Sequence, residues 1–148
     1  MLEEKLGRDD LKRDKITIAN AWNNVEYKAK TGRREATDKK IKEEENVQRL
    51  QEQLGGITDI VLFCGKKAQL ISSKLTLTAK HILFIEHLGT LGLLSITKDV
   101  EGKPILSAKT QISSGCKTSK SSLQHENTRK RLEFIAHGLA ESLEQAKG

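Results

Sequence analysis

The chain has 148 residues, of which 36% are hydrophobic, 3% aromatic and 31% charged, with a net charge of +6; this leaves room for one domain with an aliphatic core and argues against wholesale disorder. Its two cysteines, Cys64 and Cys116, lie far apart without metal-ligand spacing. That speaks against a disulfide framework, a metal site or an iron–sulfur cofactor and for a reducing compartment. No apolar run reaches the length of a membrane span, and MLEEKLGRDDLKRDK is too charged for a secretory signal peptide, so the expected setting is the cytoplasm, away from the membrane.

In chain order, the alternating, β-branched segment Lys15–Asn20 predicts a first strand, ended by a turn-like cluster around Trp22. Thr31 to Arg34 reads as a loop. Glu35 to Leu54 predicts a helix, with Val47, Leu50 and Leu54 on one face, its other faces charged and Gly55-Gly56 as its stop. A short apolar strand, Asp59 to Phe63, follows, then Gly65 and a helix from Lys66 to about Leu75. A further strand, Ile82 to Ile85, leads into Glu86-His87-Leu88-Gly89 and a short helix over Thr90 to Ile96.

Beyond this point the charge becomes uneven. Residues 1–55 hold 13 basic and 12 acidic side chains, whereas Lys103 to Arg131 holds seven basic residues against Glu126 alone. Ser107 to Ser122 contains eight Ser or Thr in sixteen residues, so about 103–126 is expected to be a mobile, basic, Ser/Thr-rich loop. The closing helix is expected to be capped by Asn127 or Thr128, with Leu132, Ile135, Ala136, Leu139, Ala140 and Leu143 as its apolar stripe. On that reading Arg129, Lys130 and Arg131 occupy its first turn, against the helix dipole. The resulting order, β–α–β–α–β–(α)–loop–α, predicts a single α/β domain over 1–148: a three-layer α/β/α sandwich with a small, largely parallel sheet.

In such a sheet, ligands sit beyond the carboxyl ends of the strands. If the strands at 60 and 82 are parallel neighbours, Cys64-Gly65-Lys66-Lys67 and Glu86-His87 meet at one rim. His87 there suits hydrogen bonding to a phosphate or a developing oxyanion. Cys64 reads either as a nucleophile paired with His87 or as a small buried residue. The histidines show no HxxxH or HExxH spacing, so no metal is expected. Gly65-Lys66-Lys67 lacks the spacing of a Walker loop. The concentrated positive stretch favours polyanions, or else is a solvated face.

These pieces resemble the uracil-DNA glycosylase superfamily, in particular its divergent phage- and prophage-type members. The resemblance rests on KITIAN, on VLFCGKKAQ and on a strand ending in a histidine motif, and covers about residues 15 to 146. It implies a uracil-DNA glycosylase-like fold, in a small or truncated version, and a DNA-binding protein that flips a base out of the helix. It implies that Asn20 reads the base edge, that His87 faces the pyrimidine carbonyl, and that Leu88 or Leu91 wedges into the minor groove. Lys66, Lys67, Lys117, Lys120, Arg129, Lys130 and Arg131 become the DNA contacts. For the family's glycine-rich loop with a water-positioning Asp or Asn, GRDD, with Asp9 and Asp10, is a poor stand-in before Lys15, and the Pro-Ser of its His-Pro-Ser signature is missing. Asp10 is the candidate that remains for a catalytic carboxylate. Two outcomes stay open: hydrolysis of the N-glycosidic bond of uracil or another altered base, or an inactive module of the same fold that binds nucleic acid or protein. DNA is the expected partner and no cofactor is required.

Overall fold

The computed structural model describes residues 17–23, 28–32 and 35–145. The chain is a mixed α/β protein that divides into two compact units, Thr17–His87 and a unit whose described part is Leu88 to Gln145. In the first unit the order is α1 (Lys28–Thr31), α2 (Asp38–Ile41), α3 (Glu44–Leu54), β1 (Ile60–Cys64), α4 (Lys66–Ser72) and β2 (His81–Ile85). The second holds α5 (Thr90–Leu94), α6 (Ala108–Ser113) and α7 (Lys120–Gln145).

β1 and β2 form a two-stranded parallel sheet in which Ile60 stands beside His81 and Cys64 beside Ile85. Side chains alternate across a strand. Val61 and Phe63 therefore share one face with Ile82 and Phe84, and the rings of Phe63 and Phe84 stack with centroids 5.6 Å apart. Val61 and Phe63 are buried in a cluster with Ala36, Ile41, Leu50 and Ile71, so α2, α3 and α4 supply the cover for that face. Leu62 points to the other face and is 37% exposed. The parallel pairing and the connecting helix are as predicted.

Among the described residues the expected first strand does not form. Lys15 and Ile16 lie outside the described residues, and Thr17–Asn20 has no regular structure. At its end the backbone is held by side chains of α3: Asn20 O accepts from Arg49 Nη2 at 2.9 Å, and the next carbonyl, Ala21 O, from Asn46 Nδ2 at 2.9 Å. Strand propensity yields to tertiary context readily.

The helix predicted over Glu35 to Leu54 is two helices. Thr37 caps the first turn by accepting from Lys40 N, and the chain turns extended at Glu43. Buried Asn46 donates to Ile41 O at 2.8 Å, taking the carbonyl that a continuous helix would have used. Gly55 ends α3 with right-handed backbone angles, not the left-handed cap expected. What it provides is space: a Cβ on Gly55 would stand 2.7 Å from both Nε2 and the backbone O of Gln51. Gln51 uses that space to clamp Thr76, donating from Nε2 to its carbonyl and accepting from its N–H, both at 2.7 Å.

The stretch about 103–126 is not one continuous loop: it holds the helix Ala108–Ser113 and the start of the closing helix at Lys120. Before it, Lys98 bridges Pro104, and Asp99 Oδ1 accepts from the N–H groups of Glu101 and Lys103 in a tight turn completed by Gly102 at φ +77°. Ser107 then caps α6 by accepting from Thr110 N. Gly115, at φ +94°, closes α6: Gly115 N donates to Ile112 O and Cys116 N to Gln111 O. Ser119 starts α7, accepting at its hydroxyl from Ser122 N and at its carbonyl from Leu123 N. The closing helix therefore begins at Lys120 and runs for 26 residues. Asn127 does not cap it. It lies buried within the helix, donating to Leu106 O at 2.8 Å and accepting from Gln111 Nε2 at 3.3 Å. Ala136, Leu139 and Leu143 of the predicted stripe are buried.

Candidate strand-end site

The parallel register brings the carboxyl ends of β1 and β2 side by side. The chain leaves β1 through Gly65, whose backbone (φ +83°, ψ 168°) is a region reserved for glycine. Gly65 N donates to Ile85 O at 2.8 Å, and Gln69 Nε2 donates to the same carbonyl at 3.0 Å. Two donors thus pin the backbone just before Glu86-His87. A Cβ on Gly65 would come within 2.8 Å of His87 Cβ and 3.1 Å of His87 Cδ2. The turn and the histidine are therefore in direct apposition, with glycine required both for its conformation and for the close approach. Gln69 was not singled out from the sequence; its place one turn into α4 is visible only once the pairing of the strands is known.

His87 and Glu86 are exposed at this rim, as is Lys66, the first residue of α4. Lys66 has no ion pair among the described residues, whereas Lys67 pairs with Asp38, and that ammonium, by hydrogen bond and by charge, lowers the Asp38 carboxyl below its ordinary pKa. Cys64 is half-buried, and burial pushes its thiol pKa up. That disfavours the thiolate and speaks against the nucleophile reading. His81, which opens β2, is buried.

The other expected residues are distributed as follows. Asn20 is exposed, its backbone tied to Arg49 of α3. Asp10 lies outside the described residues. Leu88 is exposed, and Leu91, on α5, is 86% exposed. Lys117 and Lys120 are exposed and make no ion pair among the described residues. Arg129 and Lys130 are not in a helix first turn but well inside α7. There Arg129 pairs with Glu133 at 2.5 Å and Lys130 with Glu126 at 3.0 Å, one turn away in each case. Lys130 holds the Glu126 carboxyl below its usual pKa. Arg131 is buried instead of standing on a surface for phosphates, and its Nε donates to Ile96 O at 3.0 Å.

The second cysteine, Cys116, has its thiol pKa lowered by hydrogen bonds from the Thr118 hydroxyl and then its backbone N–H. Among the described residues no group of His, Cys, Asp and Glu is arranged to hold a metal ion, and no helix is long and apolar enough to cross a membrane. Comparison with protein-family models, with curated proteins and with solved structures finds no match.

Proposed function

We propose that the chain is a DNA-binding protein with a uracil-DNA glycosylase-like three-layer α/β/α sandwich, whose contact with a base or phosphate is the rim formed by Gly65 and His87. The observation that supports this reading is the apposition of the two strand ends, which puts an imidazole and a glycine turn beside Lys66, exposed and without an ion pair among the described residues. An imidazole and an ammonium are suited to an anionic or carbonyl oxygen. Lys117 and Lys120 add exposed positive charge for the phosphate backbone. Lys67, Arg129 and Lys130 contribute less, because each is already held by a carboxylate.

The binding form asks only for the rim and its positive charge, whereas the catalytic form also needs a water-activating carboxylate, the part assigned to Asp10. In the catalytic form, Asn20 reads the flipped base, His87 stabilises negative charge on its carbonyl as the N-glycosidic bond breaks, and Asp10 positions the water. Titration of single- and double-stranded DNA at several salt concentrations tests both forms, with base release from uracil-containing DNA followed in parallel. Binding should weaken steeply with salt, and replacing Lys66, Lys117 and Lys120 together by Ala should flatten that dependence. Salt-sensitive binding with no base release selects the binding form; base release that is lost in His87→Ala and Asn20→Ala selects the catalytic one. The absence of salt-sensitive binding rules out both.

A protein partner is the second reading. Leu88, Leu91 and Leu94 are all exposed at a spacing of three residues, an arrangement suited to an apolar partner surface.

A further inference from the structure

Among the described residues β2 has a neighbour on one side only, β1. His81 N donates to Asp59 O and Gly65 N to Ile85 O, both at 2.8 Å, so His81, Leu83 and Ile85 turn their backbone groups towards β1. The intervening residues, Ile82 and Phe84, turn theirs to the open side, where no strand among the described residues takes them up. Their side chains are exposed as well, at 40% and 54%. Within His81–Ile85 the edge carries none of the devices that usually blunt one: no lysine or acid, no proline, and no bulge in its register with β1.

Charge enters at the two ends. Lys80 directly precedes the strand and Glu86 directly follows it, and both are exposed. Along the extended chain they stand about 20 Å apart, too far to neutralise one another. Alternation puts them on the same side of the strand as Ile82 and Phe84. The exposed edge therefore runs Lys, Ile, Phe, Glu, an order that complements itself when reversed. An antiparallel two-fold centred on Leu83 sets Ile82 opposite Phe84 of a second copy, and Lys80 opposite its Glu86. Ile82 and Phe84 then exchange N–H and C=O in both directions, with an aromatic side chain facing a β-branched one. The outer edge of β1 lacks this property: the same operation there sets Asp59 opposite Gly65, with no charge to meet it.

We propose that β2 is the dimerisation edge of this protein, pairing antiparallel with β2 of a second copy to join their sheets into one. A second copy fits better than an unrelated strand, because the two end charges answer each other across the axis, and an isologous contact needs both on one chain. The ladder is short, so the dimer should be a reversible one. The proposal does not rest on the DNA-binding reading, and its test contains no nucleic acid.

The test is sedimentation equilibrium of the full chain over a wide concentration range, with amide hydrogen exchange measured at both ends of that range. The wild type should form a reversible dimer, and the amides of Ile82 and Phe84 should become protected as the dimer fills. Lys80→Glu and Glu86→Lys each set like charges opposite one another at both ends of the ladder, and each should weaken self-association about tenfold. Mixed in equal amounts, the two variants should recover the wild-type affinity as a heterodimer, because every charge then meets its opposite. A wild type that stays monomeric, or a dimer that leaves Ile82 and Phe84 unprotected, overturns the proposal. So does a single variant that associates as well as the wild type, or a mixture that associates no better than either variant alone. Both substituted positions are exposed, and the wild-type exchange decides the matter even where a variant fails to fold.

Discussion

The two units of this chain are held together by different means. In Thr17–His87 the organising element is an apolar cluster: Val61 and Phe63 of one sheet face, closed over by Ile41, Leu50 and Ile71 from three helices. The described part of the other unit, Leu88–Gln145, has no sheet; it buries Ala108, Leu123, Ala136, Leu139 and Leu143, and beside them much of the definition comes from side chains bonded to backbone. Ser107 and Ser119 start helices, Gly115 ends one, and Asn127, Gln111 and Arg131 tie helices to the segments between them. Burial of apolar area is non-directional and tolerates small rearrangements, whereas a buried amide stripped of its partner loses a specific bond and gains a desolvation penalty.

The largest expected effect lies in the apolar unit. Phe63 is 3% exposed and stacks on Phe84, so Phe63→Ala should destabilise the protein by about 3–5 kcal/mol, read from chemical denaturation. A loss below about 1 kcal/mol, the size of a surface change, would mean that the cluster does not organise this unit.

Gly65→Ala comes next. It forces an alanine into a glycine-only conformation, which costs roughly 1–3 kcal/mol, and drives its Cβ against His87. Beyond the stability loss, the imidazole resonances of His87 should shift, and any nucleic-acid affinity should fall with them. Unchanged His87 resonances would separate the turn from the histidine and dissolve the rim as a site.

In the other unit, Asn127→Ala strips Leu106 O and Gln111 of a buried partner, and should cost about 1–3 kcal/mol. A loss as large as that of Phe63→Ala would place the polar network on the same footing as the apolar core. A loss within about 0.5 kcal/mol, the range of ordinary surface changes, would reduce it to decoration.

The same difference decides what was legible in the sequence. The runs at Ile60 and Ile82 announced themselves as strands because apolar, β-branched residues bounded by glycine and polar residues have few other uses, and their parallel pairing brought Gly65 and His87 together as expected. Leu50 was legible as a core position from helical spacing. Ser107, Gly115 and Ser119 were misread because the residues that make loops are also the residues that cap helices. A cap is told from a loop only by knowing that α6 and α7 lie on either side of it. Asn46 and Asn127 carry the same ambiguity inside an element: one splits a helix that composition makes continuous, the other sits within a helix it seemed to start. Arg131 was legible as a charge but not as a buried one, since its neighbour Arg129 is exposed and Lys130 half-buried, and periodicity alone assigns all three to a basic turn.

The smallest effect belongs to the ion pair of Lys67 with Asp38. Because Lys67 lowers the Asp38 carboxyl below 3.8, the folded state binds that proton less readily than the unfolded chain does. The pair's contribution is therefore complete at pH values above the ordinary carboxylate range and disappears as pH falls through the lowered Asp38 value. Comparing the wild type with Asp38→Asn across this acid range should give a small, constant difference near neutrality that vanishes in acid and shrinks with added salt, since the carboxylate is exposed. The pair also occupies Lys67. Its removal in Asp38→Asn should release a second ammonium beside Lys66 and so tighten, not weaken, any binding of polyanions at the strand-end rim, with a steeper dependence on salt. Weaker binding in that variant would mean that Asp38 serves the rim by holding Lys67 in place rather than by competing for it.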